Sequence, residues 1–318
     1  MNNVLITGAN GFIGRAVCKE LRTSGFTLSG TSRDVSLRSG PENIPLHHVS
    51  DLDSTSDWSP CLVRADTVVH LAARVHEMKK DSESSDAEYQ RVNTNGTLRL
   101  AKLANDAGVK RFIFLSTIKV NGEKTNSKAF SEVDTPRPAD PYSVSKWEAE
   151  KSLSCMIGGD MEIVILRVPL VYGPHVRGNF LSLMEACFSR RWLPLGGINN
   201  SRSFLYVGNL ASAITATITN SAAADKTFMV SDGQNLSTPE LIKRMARALG
   251  VGKRLYSVPM FILKAAGLIT GRIGTIDRLS SSLEVDSSFI RKELNWTPPF
   301  SAEDGLNETA RWFLSCRK

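Results

Sequence analysis

Along the first two-thirds of the chain, short unbroken apolar runs alternate with longer stretches whose apolar positions recur every three or four residues. The runs cover residues 4–7, 27–32, 67–72, 111–116 and 162–168, and are rich in Val, Ile, Leu and Phe. The periodic stretches cover 12–21, 89–105 and 142–154. Continuous apolar strands separated by amphipathic helices predict an α/β fold, a parallel sheet with both faces covered. The last third has longer loops, the pair Pro298-Pro299, and helical patterns near 180–189, 239–249 and 302–314. It predicts a smaller cap over the sheet edge. The expected division is residues 1–170 and 171–318, with a segment at about 204–222 returning to the first domain.

Composition excludes several classes. The 318 residues are 42% hydrophobic and 22% charged, which rules out a disordered or collagen-like chain. A chain of this length buries about three-quarters of its unfolded surface, so its core needs no disulfide or metal staple. Cys18, Cys61, Cys155, Cys187 and Cys316 stand far apart with no CxxC, against both a zinc site and a disulfide framework. The N-terminus lacks a secretion-type basic and apolar pair of regions, and no apolar run reaches the ~18 residues of a span. The expectation is a cytoplasmic protein with no transmembrane segment and no metal.

Charge changes the picture at one place. The net charge is +7, and residues 241–278 alone carry eight basic residues against one acid, the whole of that surplus. These are Lys243, Arg244, Arg247, Lys253, Arg254, Lys264, Arg272 and Arg278, against Asp277. A general polyanion binder spreads its charge along a groove or tail. Without a recognition motif or interleaved aromatics, nucleic acid is not an expected partner. The neighbouring apolar run 260–268 reads as core or interface. Beside the basic residues, a weak contact with an anionic membrane surface is the sharper alternative.

The candidate chemistry starts at Thr7-Gly8-Ala9-Asn10-Gly11-Phe12-Ile13-Gly14, after the first strand and opening the first helix. Gly8 permits a tight turn, Gly11 lets backbone N–H groups approach a pyrophosphate, and Gly14 lets the helix pack closely. The helix N-terminus then presents its positive dipole end to the phosphates. The spacing is GxxGxxG, one residue longer at the first gap than the usual fingerprint. At the tip of the second strand, where an acid would bind an NAD ribose, the chain reads Gly30-Thr31-Ser32-Arg33. Arg33 suits a 2′-phosphate, so NADP(H) is favoured; Asp34 directly after it keeps NAD(H) open. Asp51 is a candidate partner for the adenine amine.

Tyr142-Ser143-Val144-Ser145-Lys146 puts a phenol and an ammonium on one helical face. A nearby ammonium is expected to lower the Tyr142 pKa and make it a usable acid–base group. The histidines suggest less. His47 and His48 point apart on an extended chain, His70 reads as a buried strand residue, and His76 and His175 fall in expected substrate loops.

The order of these features resembles the extended short-chain dehydrogenase/reductase family, in particular its nucleotide-sugar branch. The resemblance covers essentially the whole chain. It rests on TGANGFIG at 7–14, VVHLAA at 68–73, VNTNGT at 92–97, FLSTIKVNGE at 114–123, YSVSK at 142–146, LRVPLVYGP at 166–174, RSFLYVGNLA at 202–211 and ELNWTPPFSAEDGL at 293–306. It implies a Rossmann-like doubly wound sheet with a smaller C-terminal α/β substrate-binding cap, and a homodimer through the helices at 89–105 and 142–154. It implies that Thr117, Tyr142 and Lys146 are catalytic. Cofactor contacts would come from Gly8, Asn10, Gly11, Phe12, Ile13, Gly14, Ser32, Arg33, Asp51, Leu52, Leu71, Ala72, Ala73, Asn93 and Pro169, beside Tyr142 and Lys146. Thr117, Asn179, Arg202 and Arg278 would meet the sugar nucleotide, with Arg272 the rival to Arg278.

Two departures stand out. Dehydratases of this branch carry Asp-Glu after the catalytic Thr; here those residues are Ile118 and Lys119, so a 4,6-dehydratase is not expected. The customary Tyr of the following VYG pattern is Asn121. The resemblance implies first an NADPH-dependent reductase of the C4 keto group of a UDP-4-keto-6-deoxy-N-acetylhexosamine in bacterial surface-polysaccharide synthesis. The alternative is a UDP-hexose 4-epimerase with tightly bound NAD. A non-catalytic NADPH-binding regulator is the third reading, opposed by the intact Thr, Tyr and Lys.

Overall fold

The computed structural model describes residues 3–75, 82–189, 192–252, 255–271 and 273–317. His76, Lys253, Arg254 and Arg272 therefore lie outside the described residues. The strands of the large sheet are β1 (Asn3–Thr7), β2 (Thr27–Ser32), β3 (Leu46–His48), β4 (Thr67–His70), β5 (Arg111–Thr117), β6 (Glu162–Val168) and β9 (Thr227–Met229). They are parallel throughout, in the order β3-β2-β1-β4-β5-β6-β9. The remaining strands, β7 (Leu170–Tyr172), β8 (Arg202–Tyr206) and β10 (Asn235–Leu236), form a separate sheet in the order β10-β8-β7.

Successive strand residues feed opposite faces, as a period of two requires. Val4 and Ile6 of β1, Ile113 and Leu115 of β5, and Val164 and Leu166 of β6 pack on α1 (Phe12–Thr23) and α7 (Val207–Thr219). Leu5, Phe112, Phe114, Ile163 and Ile165 pack on the other face, against α2 (Ser59–Leu62), α4 (Thr97–Asp106) and α5 (Pro141–Ser154). Both faces being covered explains why the strands read as unbroken apolar runs.

The seventh strand, β9, comes from far along the chain. Of the segment expected to return near 204–222, α7 covers the large sheet, whereas β8 pairs with β7 and β10. The cap core joins Tyr172 with Phe180 and Met184 of α6 (Gly178–Phe188), Leu241 and Met245 of α8 (Thr238–Ala248), and Leu306 and Phe313 of α12 (Ala302–Ser315).

The helical pattern expected at 89–105 is three pieces: α3 (Ser82–Tyr89), a π-helical segment at Gln90–Gly96, and α4. Such wide turns often mark functional positions. The cap also holds α9 (Met260–Ile269), α10 (Ile273–Ser280) and α11 (Ser288–Leu294). No helix among the described residues is long and apolar enough to cross a membrane.

Candidate active site

The site forms where the parallel strands end. Gly8 follows β1, Ser32 ends β2, Asp51 follows β3, Leu71–Ala73 follow β4, Thr117 ends β5 and Pro169 follows β6. Ligands of open α/β sheets bind in this crevice. The first turn is built for a close approach. Gly8 has φ +69°, and a Cβ there would stand 3.1 Å from the Ala72 nitrogen. A Cβ on Gly14 would stand 2.2 Å from the Gly8 carbonyl oxygen, so only glycine lets α1 sit this close. The α1 N-cap is Gly11, with no side-chain cap and no acid in the first turn. Its N–H groups and positive dipole end are thus left for an anion, and the residues fit a dinucleotide pyrophosphate.

A hydrogen-bond chain fixes the floor of this turn. The Thr7 hydroxyl accepts from the Leu71 and Ala72 N–H groups, both 3.1 Å away. Its own proton therefore goes to His70 Nδ1, 2.8 Å away. His70 Nε2 then donates to Thr97 Oγ1 at 3.0 Å, and Thr97 donates to the Asn93 carbonyl at 2.6 Å. This assigns His70 the neutral Nε2–H tautomer. Burial agrees, pushing its pKa down to about 3, with the Lys146 charge acting in the same direction. His70 is a buried strand residue, as the sequence suggested. Asn93, inside the π-helical segment, donates to Ser145 Oγ at 3.0 Å and accepts from the Arg74 N–H at 2.8 Å.

At the β2 tip, Arg33 is exposed and Ser32 half-buried. The Asp34 carboxylate turns onto its own loop, accepting from the Ser36 N–H at 2.9 Å and its hydroxyl at 2.6 Å. Asp51 is gripped by Arg91 at 2.6 Å and accepts from the Leu52 N–H at 2.7 Å. The Leu52 side chain belongs to the core under β1.

The catalytic helix starts with a full capping box. The Asp140 carboxylate accepts from the Ser143 N–H at 2.7 Å, and Ser143 Oγ accepts from the Asp140 N–H at 3.1 Å, with Pro141 opening the helix. Lys119 binds the other Asp140 oxygen. Lys119 therefore ties the turn after Thr117 to the start of the helix that carries Tyr142 and Lys146. Ile118 turns inward against Met229, Leu283 and Val285. Neither position of the dehydratase acid pair carries a base. The Thr117 hydroxyl accepts from the Lys119 N–H at 3.3 Å, and the Tyr142 ring stands edge-on to Tyr89 at 6.2 Å.

Lys146 is only 3% exposed, and its Nζ lies 4.1 Å from the centre of the Phe114 ring. Burial pushes its pKa down to about 7, with Glu150 opposing the shift. The expectation that Lys146 lowers Tyr142 is corrected here. Burial pushes the Tyr142 hydroxyl up, and the Asp140 carboxylate and Tyr89 add to the shift. Desolvation outweighs a neighbour whose own charge is weakened by the same burial.

Sequence reasoning missed the polar network behind this helix. Glu150, one turn after Lys146, is 1% exposed and bonds both Ser116 Oγ and the Arg167 guanidinium. Arg167 Nη1 donates to Asn121 Oδ1 at 3.0 Å. Asn121, the unexplained departure, is thus a partner of a buried arginine. The only signal in the sequence was an acid four residues after the Lys of YxxxK.

In the cap, Asn179 is exposed in the first turn of α6. Arg202 Nη1 donates to the Arg278 and Ser281 carbonyls at 2.8 and 2.9 Å, which pins the end of α10 to β8. The expected pair Arg202 and Arg278 is therefore adjacent, and the Arg278 side chain is exposed. His175 is exposed beside Trp312, at 5.3 Å between rings. The five cysteines are free thiols. Among the described residues no cluster could hold a metal ion.

Residues 4–231 match the model of the NAD dependent epimerase/dehydratase family. The chain is 38% identical to a UDP-glucose 4-epimerase of Vibrio cholerae, over 98% of this chain and 95% of that one. It is 24% identical, over 100% and 97%, to an Escherichia coli O157:H7 N-acetyl-alpha-D-glucosaminyl-diphospho-ditrans,octacis-undecaprenol 4-epimerase. Among solved structures, MoeE5 in complex with UDP-glucuronic acid and NAD superposes with a TM-score of 0.79 at 27% identity, covering 99% of this chain and 100% of that one.

Proposed function

The chain belongs to the NAD dependent epimerase/dehydratase family, and from that premise we propose that it is a UDP-sugar 4-epimerase. The observation that carries this reading is the intact Thr117, Tyr142 and Lys146 set without the acid pair of a dehydratase, Ile118 being buried and Lys119 bound to Asp140. The likeness to the Vibrio cholerae enzyme supports it.

In this reading Tyr142 accepts the proton of the sugar 4-hydroxyl while the C4 hydride leaves, and later gives that proton back. A bound nicotinamide supplies the acceptor and donor of that hydride. Thr117 donates a hydrogen bond to the same sugar oxygen. To accept the sugar proton Tyr142 must be ionised; burial opposes this, and the Lys146 ammonium on the same helix face stabilises the phenolate until the proton neutralises it. Gly8, Gly11 and Gly14 hold the cofactor pyrophosphate. Asn179, Arg202 and Arg278 hold the diphosphate of the substrate, whose remote binding orients the sugar. A homodimer through α3, α4 and α5 belongs to the same proposal.

A second reading is carried by one specific observation, the exposed Arg33 beside an Asp34 already committed to Ser36. It is an NADPH-dependent reductase of a UDP-4-keto-6-deoxy-N-acetylhexosamine. Purified protein given UDP-glucose or UDP-N-acetylglucosamine should yield the C4 epimer with no net change in cofactor absorbance. Failure to epimerise either sugar, together with NADPH consumption on a UDP-4-keto sugar, replaces the first reading by the second.

A further inference from the structure

We propose that the hairpin of α9 and α10 is a docking surface for an anionic phospholipid bilayer. The run expected as core or interface is mostly on the outside. Of the ten residues of α9 only Leu263 and Gly267 are buried, a single narrow stripe at i and i+4. Gly267 is the point of contact, since a Cβ there would stand 2.4 Å from Ile276 Cδ1 of α10. The outward residues remain strongly apolar. Phe261 is 72% exposed, Leu268 74% and Ile269 86%, with Ile262 at 46%.

Phe261 and Leu268, seven residues apart, share one face of α9, and exposed Lys264 lies between them. The strand-like segment leading into α9 adds Tyr256, edge-on to Trp192 at 6.3 Å, and both rings are exposed. Aromatic and aliphatic side chains with interspersed basic residues characterise surfaces that lie in a lipid interface. At about 1.5 Å per residue α9 is roughly 15 Å long, half the thickness of a bilayer core, so it lies on the surface rather than spanning it.

Charge selects the occupant. The hairpin sits in the segment that holds the whole net positive charge of the chain. A two-fold contact centred on α9 would bring the exposed Lys264 of two copies against each other, whereas an anionic headgroup layer complements it.

The test uses the full chain in flotation with vesicles of phosphatidylglycerol and phosphatidylcholine, and with phosphatidylcholine alone. Binding is expected only with phosphatidylglycerol and is weakened by salt. The pair Phe261→Asp with Leu268→Asp should lower the bound fraction at least tenfold with turnover of the UDP-sugar unchanged. Lys264→Gln, at an exposed site, should lower affinity about fivefold and covers the case in which the double variant misfolds. Absence of wild-type flotation at low salt, or equal binding by the variants, overturns the proposal. A dimer that Phe261→Asp splits, without vesicle binding by the wild type, assigns the face to a second copy instead.

Discussion

The Arg167 guanidinium holds the Glu150 carboxylate with Nη2 2.6 Å and Nε 3.0 Å from Oε2, one helical turn beyond Lys146. Both partners are buried, and both carboxylate oxygens are used. Removing one partner leaves the other charge uncompensated in a dry site. Glu150→Ala should therefore cost about 3–5 kcal/mol of unfolding free energy. It also withdraws the negative charge that opposes the downward shift of Lys146, so the lysine should titrate still lower. Urea unfolding checks the first effect, and the pH profile of turnover the second.

Asn121 completes that pair from the other side, through its Oδ1 on Arg167 Nη1. Asn121→Ala leaves a buried guanidinium N–H without its acceptor, at a cost of about 1–3 kcal/mol. Asn121→Asp keeps an acceptor and should cost less. The comparison is again a pair of urea midpoints, and equal midpoints for Ala and wild type would remove the role given to Asn121.

The contrast between Tyr142 and Asn121 shows what was legible in the sequence. GxxGxxG and YxxxK each lie within one local element, so spacing alone places them on a turn or a helix face. The five main strands were legible because both faces are buried. β3 and β9 were not, because three residues carry too little periodicity. The π-helical segment around Asn93 escaped for a related reason: a wide turn and an α-turn show nearly the same apolar pattern. The Glu150, Arg167 and Asn121 network joins residues 17 and 46 positions apart, which no local pattern reveals. The direction of the Tyr142 shift was misjudged because spacing reports a neighbouring charge but not the burial that outweighs it.

Burial of Lys146 has a consequence for stability. Its pKa is about 7 when folded against 10.5 as the ordinary value, so between those pH values the unfolded chain binds more protons. Stability then rises with pH across that window, and the penalty is fully present below about pH 7. Lys146→Met should abolish turnover yet gain stability relative to wild type below pH 7, with the gap shrinking as pH rises toward 10. Thermal midpoints measured across this range decide it, and a gap independent of pH would show that Lys146 is not desolvated.

Tyr142→Phe removes only a hydroxyl from the capped end of α5. Loss of a positioned proton donor and acceptor costs about 10²–10⁴ in rate. The variant should bind UDP-sugar and cofactor as before and turn over slower by that factor. Wild-type turnover by Tyr142→Phe would remove the acid–base role from Tyr142 and assign the proton transfer to another group.

Cofactor choice reduces to the β2 tip. Asp34 Oδ1 is taken by Ser36 and Ser32 Oγ accepts from the Asp34 N–H at 3.0 Å, which leaves the exposed Arg33 and the Ser32 hydroxyl proton to meet an adenosine ribose there. A guanidinium on a 2′-phosphate forms charge-assisted bonds worth about 1.5–3 kcal/mol, or roughly 10–100-fold in affinity. Arg33→Ala should then weaken NADPH by that factor while leaving NADH within about threefold. Titration of both cofactors by fluorescence gives the comparison directly. A loss confined to NADPH ties Arg33 to the phosphate and favours net reduction. No loss for either cofactor makes Arg33 a solvated surface residue, leaves Ser32 to the ribose, and is the pattern an NAD-retaining epimerase requires.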